Sequence, residues 1–126
     1  MPLHWTIDSR TRLFTATAEG TVSLDEVMAM LEAAAGARAL GYRKLFDGRT
    51  ATSAMAPDEL LLLCARLREY HAQGPMGALA LVATSDQTVT FSRLLGALAS
   101  ADRPIRIFAT PRQARAWLDG LAPSAG

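Results

Sequence analysis

The sequence predicts an α/β domain, a single mixed five-stranded sheet in the order β-β-α-β-α-β-α-β-α, and three observations carry that prediction. Leu13 to Glu19, LFTATAE, alternates apolar residues with threonine at the period of a strand that buries one face. Helix starts are marked by local chemistry at Ser23-Leu24-Asp25-Glu26, at Pro57-Asp58-Glu59 and at Thr110-Pro111-Arg112-Gln113. Gly77 to Ala83, GALALVA, is a continuous apolar run, the pattern of a strand covered on both faces and the best candidate for the centre of the sheet.

Leu3 to Asp8 is expected as the first strand, and the polar Ser9-Arg10-Thr11-Arg12 as the turn of a hairpin with Leu13 to Glu19. Gly20 and Thr21 are expected to break the second strand. Ser23 then caps a helix that starts near Leu24, with Leu24, Val27, Met28, Leu31 and Ala35 on one face and Gly36 or Gly41 at its end. Tyr42 to Asp47 is the third strand, and Gly48 to Ala56 the loop that follows it.

Pro57 suits the first turn of a helix, where its missing N–H costs nothing, and Asp58 and Glu59 suit the positive end of the dipole. That helix is expected to run to Ala72, with Leu60, Leu63, Cys64 and Leu67 buried, Arg66, Glu69 and Gln73 outward, and Gly74-Pro75 as its stop. After the strand Gly77 to Ala83, Thr84-Ser85-Asp86 caps a helix over Gln87 to Ala99 with Val89, Leu94, Leu95 and Leu98 on its apolar side. Asp102-Arg103-Pro104 is a turn and Ile105 to Ala109 the fifth strand. The last helix, Pro111 to Asp119, turns Ala114, Trp117 and Leu118 inward and stops at Gly120. Residues 1–120 form one domain, and 121–126 a frayed tail.

Strand-helix-strand units favour parallel pairing with right-handed crossovers, so strands two to five are expected to be parallel and strand one antiparallel at an edge. In sequence order, all crossovers would fall on one face. The other face would then be left with little cover, which marks it for self-association.

The composition excludes several classes of function. The 126 residues carry 13 basic and 12 acidic side chains, mixed along the chain, so no footprint for nucleic acid or anionic lipid is present. Lys44 is the only lysine, and the arginine and alanine usage suggests a GC-rich bacterial genome. The single Cys64 lies in a leucine-rich helical run and reads as a packed apolar residue in a reducing compartment. No signal-like N-terminus and no apolar run of about 20 residues occur, which points to a cytoplasmic protein that does not insert in a membrane.

Candidate chemistry gathers at the carboxyl ends of the strands, the usual binding crevice of open parallel sheets. Asp47 with Arg49, Thr84 with Ser85 and Asp86, and Thr110 all end strands there, beside helix N-termini that favour anions. Helix capping accounts fully for Ser85, Asp86 and Thr110. Asp47 and Arg49 can form either a local salt bridge or a ligand clamp. The hydroxyls of Thr50, Thr52 and Ser53 follow, and Met55 with Met76 could line a pocket. His4 and His71 stand apart without ligand-spaced cysteines or carboxylates, so no metal and no cofactor are expected. No hydrolase elbow and no phosphate-binding glycine loop occur.

The element order, the opening hairpin, TVSLDEV at a helix start, a third strand ending in Asp47 and the terminal RIFATPRQARAWL together resemble the SpoIIAA-like proteins, relatives of the STAS domain. The resemblance covers nearly the whole chain. It implies a mixed sheet in a β-α superhelix and, for anti-sigma-factor antagonists, a phosphorylatable serine in a short Asp-Ser-Ser-Gly-type turn. Here Gly48-Arg49-Thr50-Ala51-Thr52-Ser53 follows Asp47, so Ser53 is the nearest candidate phosphoacceptor, with Thr50 and Thr52 as alternatives. The expected function is a non-enzymatic regulatory or protein-interaction domain, acting on a protein partner or as a homodimer. The alternative is a carrier of a small apolar or anionic ligand held between Met55, the Pro57 helix and the sheet.

Overall fold

The computed structural model describes residues 3–53, 56–74, 76–85 and 104–121. Five strands, β1 (Leu3–Asp8), β2 (Leu13–Val22), β3 (Arg43–Ser53), β4 (Leu79–Val82) and β5 (Ile105–Phe108), lie side by side in sequence order. Three helices are described with them: α1 (Leu24–Gly36), α2 (Pro57–Gln73) and α3 (Pro111–Asp119). The helix expected over Gln87–Ala99 lies outside the described residues. Only β1 runs antiparallel, against β2; the other pairings are parallel, as the crossover rule requires.

The hairpin closes because Asp8 Oδ1 accepts from the backbone N–H of Arg10 at 2.9 Å and of Thr11 at 3.3 Å. Along β2 the alternation holds: Phe14, Ala16 and Ala18 are buried while Thr15 and Thr17 are partly exposed. Gly20 and Thr21 do not break the strand. Gly20 takes φ +67°, which a glycine adopts without a Cβ penalty, and β2 continues to Val22, which is buried in the core. The supposed loop after Asp47 is strand as well, since Glu19 to Val22 pair with Thr50 to Ser53. The two strands stay in register because β3 carries one extra residue between Asp47 and Thr50, a bulge that absorbs the Gly48-Arg49 step.

Ser23 Oγ accepts from Glu26 N at 3.3 Å and starts α1 where expected. Its apolar surface is wider than one stripe. Met30 and Ala34 pack on Phe14, Ala16 and Ala18 of the sheet, whereas Leu24, Met28, Leu31 and Ala35 meet Leu63, Leu67 and Tyr70 of α2. So α1 meets the sheet along one side and α2 along the adjoining one, which explains why its buried arc includes residues off the expected stripe. Cys64 is buried, as its setting in the helix suggests.

Leu45 and Phe46 are neighbours in β3 and point to opposite faces. Phe46 joins the α1 side, and Leu45 joins Leu13, Ala80, Val82, Ala114 and Leu118. The second face is therefore covered, below β3, β4 and β5, by α3 rather than left open. The expectation of a bare face fails because the last helix follows the last strand and crosses to no further strand, so the crossover rule does not bind it. Val82 and Leu118 are fully buried there, each contributing about 1.5–3 kcal/mol. Arg43 reinforces this packing: Nη1 donates to Leu118 O at 2.9 Å and Nη2 to Thr11 O at 2.8 Å, tying the end of α3 to the hairpin turn.

β4 is covered on both faces, as GALALVA predicts, but it is not central. β3 occupies the middle of the sheet, with β4 between it and the edge strand β5.

Candidate functional site

Asp47, Val82 and Phe108 align across β3, β4 and β5, so the carboxyl edge of the sheet begins at one level on the three strands. Thr84 and Thr110 each stand two residues beyond that level, and Ser85 follows Thr84; all three are exposed. The structure thus brings Asp47, Thr84, Ser85 and Thr110 to a common edge. Asp86 and Met55 lie outside the described residues. Thr110 does what its capping role predicts, as its Oγ1 accepts from Gln113 N at 3.2 Å.

Past Asp47 the architecture changes. β4 pairs with β3 only from Lys44 to Asp47, while β2 and β3 continue together, so Glu19–Val22 and Thr50–Ser53 form a two-stranded ribbon beyond the end of β4. Thr50 Oγ1 donates to Ala18 O at 3.2 Å across the bulge, and Thr52 is exposed opposite Thr21. Ser53 is the last residue of β3, paired with Val22. The hydroxyl-rich segment is a strand here instead of a turn, because the bulge lets the ladder run on through it.

At the base of the ribbon Asp47 and Arg49 form a two-pronged ion pair. Arg49 Nε donates to Asp47 Oδ1 at 3.0 Å and Nη2 to Oδ2 at 2.9 Å, and the Arg49 backbone N–H reaches Oδ1 at 3.2 Å. Side chains two apart on a strand already share a face, and the local bend at the bulge, where the Arg49 backbone N–H itself meets the carboxylate, brings the two within reach. The Asp47 side chain is 16% exposed and that of Arg49 40%, so the carboxylate is the anchor and the guanidinium the outer element.

Burial pushes the Asp47 carboxyl up, but the hydrogen bonds from Arg49 and its charge outweigh this and hold it below the ordinary carboxylate value. A lowered folded value means that the pair's stabilisation is present above the unfolded value, near 3.8, and is lost as pH falls through the folded one. With Arg49 so exposed the gain is below about 1 kcal/mol. Carboxyl-carbon NMR should find Asp47 titrating below its ordinary range, and Arg49→Gln should raise its midpoint, since the guanidinium's hydrogen bonds and charge are lost while burial and the backbone N–H of residue 49 remain. An Asp47 midpoint unchanged by Arg49→Gln would show that the fork is not formed in solution.

Helix α2 begins directly after the ribbon. Glu59 Oε1 accepts from Ala56 N at 3.0 Å, but Ala56 has no side-chain oxygen to return the bond, so only half of a capping box is built. Among the described residues no group of three or more His, Cys, Asp or Glu side chains is placed to hold a metal ion, and no helix is long and apolar enough to cross a membrane.

The residue that sequence reasoning missed is Lys44. Although 7% exposed, it is the buried cation of the molecule's other end: Nζ donates to Tyr42 O at 2.9 Å and to Leu40 O and Met76 O, joining the entries to β3 and β4. The available signal was a lone lysine in an arginine-rich chain, at a strand position facing the core.

No protein-family model and no curated protein matches this chain. Solved structures do. One is an uncharacterised protein of the DUF3478 family with a SpoIIAA-like fold from Shewanella loihica PV-4, at TM-score 0.62 and 17% identity over 92% of this chain and 93% of that one. Another is the anti-sigma factor antagonist SpoIIAA in its unphosphorylated form, at TM-score 0.59 and 15% identity over 94% of this chain and 99% of that one. With the strand order and the helix placement described above, these likenesses establish that the chain has the SpoIIAA-like, STAS-type fold.

Proposed function

We propose that this chain is a regulatory or protein-interaction domain of the cytoplasm that works without catalysis and docks a protein partner on the carboxyl edge of its sheet. The observation that carries the reading is the β2–β3 ribbon, which projects past β4 and presents the Asp47–Arg49 fork with Thr50 and Thr52. A strand ribbon held by its own ladder offers a rigid recognition surface, and an arginine oriented by a carboxylate loses little freedom when a partner meets it. The fold supports the same reading, since a solved structure that shares it is an anti-sigma factor antagonist.

A photo-crosslinking amino acid at Thr52, expressed in the native host, tests the proposal. The expected result is a discrete adduct with a different protein, and Arg49→Glu should weaken the binding of that protein at least about tenfold, the scale of losing a desolvated charge contact. The proposal is overturned if no adduct forms, or if the protein recovered binds the Arg49→Glu variant as well as wild type.

A further inference from the structure

Helix α2 carries a surface that is exposed and that no other described element packs against. Its inward side chains Leu63, Cys64 and Tyr70 are buried, while Leu61 and Leu62, on the opposite side, are 69% and 58% exposed. Asp58, Leu61, Ala65, Arg68 and Ala72 recur at alternating three- and four-residue steps, and all are exposed. At 3.6 residues per turn they fall within an arc of about 80°, the narrow seam of a helix that pairs with another. Leu62 and Glu69 border it.

The order of residues along the seam selects the occupant. Asp58 stands at one end and Arg68 at the other, with Leu61 and Ala65 between them. A two-fold axis crossing α2 near Leu63 would set Asp58 of one copy opposite Arg68 of the other, and Leu61 opposite Ala65, at both halves of the interface. Each leucine then meets a small residue that leaves room for it, and each end of the seam meets its opposite charge. A parallel pairing would set Asp58 against Asp58 and Arg68 against Arg68. The seam is therefore self-complementary in one direction only, and we infer that it is the interface of a homodimer with α2 packed antiparallel on α2 of a second copy. Three turns of one helix bury less than a standard interface, so the dimer is a weak one in the micromolar range.

This surface is separate from the Asp47–Arg49 edge, and its test reads self-association alone, so its outcome leaves the partner proposal untouched. Sedimentation equilibrium of the full chain, from low micromolar to high micromolar concentration, should show a monomer–dimer equilibrium. Asp58→Arg and Arg68→Asp should each weaken it about tenfold or more, because two attractive contacts become repulsive. Combining both substitutions in one chain should restore the dimer, and an equimolar mixture of the two single variants should form the heterodimer that neither forms alone. Both substituted positions are on the exposed side of the helix, and circular dichroism confirms that each variant is folded. A monomer at every concentration overturns the inference. So does a dimer indifferent to the single substitutions, which would place the contact on another face, or a double substitution that leaves a folded chain monomeric.

Discussion

Replacing Lys44 with methionine is expected to lower the unfolding free energy by about 2–4 kcal/mol, a large share of the 5–15 kcal/mol typical of a domain. The volume of the side chain is nearly kept, so the loss is not a cavity effect. It comes from the carbonyls of Leu40, Tyr42 and Met76, which converge on Nζ and would be left without their donor in a buried place. Removing a buried charge returns part of this, because the ammonium no longer has to be held out of water. That return cannot offset the whole, since each orphaned carbonyl costs on the order of 1 kcal/mol or more. Urea unfolding followed by circular dichroism measures the difference. A methionine variant as stable as wild type would mean that the carbonyls find water and that the amine is not what joins the two strand entries.

Which parts of this were readable beforehand follows from how far apart the interacting residues lie. Local signals were sound. The hydroxyls of Ser23 and Thr110 cap the helices they precede, and Phe14, Ala16 and Ala18 turn to the core at the period the sequence shows. The i, i+2 pairing of Asp47 and Arg49 was also in view, as one of two alternatives, and the fork realises the salt bridge. Signals that depend on a partner strand misled. Gly20-Thr21 and Gly48-Arg49 are breakers when read alone, yet each supplies what the other needs: a glycine able to take positive φ on β2 and an extra residue on β3. Two apparent loop starts made one longer ribbon.

The placement of α3 was hidden for a related reason. Ala114, Trp117 and Leu118 show that the helix has an apolar side but not which face of the sheet it meets. The information was held by the strands. Leu13 and Phe14 on β2, and Leu45 and Phe46 on β3, are apolar at consecutive positions, so both faces of the sheet had to be covered. Lys44 and Met76 are 32 positions apart, beyond the reach of any periodicity.

Gly77→Ala is expected to be severely damaging for a single added methyl group, costing about 3–5 kcal/mol in total. Two effects add. Gly77 holds φ +77°, where an L side chain costs about 1–2 kcal/mol. A Cβ built there also falls inside contact distance of Tyr42 O and 2.7 Å from Gly41 O, both backbone atoms that cannot rotate aside. These are the segments that Lys44 joins, so the close approach of 41–42 to 77 and the ammonium with its carbonyls are one junction. Lys44 N donates to Ala78 O at 2.8 Å beside it, and from that bond the β3–β4 ladder runs to Asp47 opposite Val82. Forcing the segments apart should therefore disturb the far end of the ladder, where the candidate edge begins. Gly20→Ala separates the two contributions, because Gly20 has φ +67° but nothing within 4 Å of its Cβ position. It should cost only the conformational part, about 1–2 kcal/mol. Thermal melts of the two variants side by side give the steric share as their difference. If Gly77→Ala proves no worse than Gly20→Ala, the backbone at 41–42 yields freely, and the junction does not fix the register that sets Asp47 on its edge.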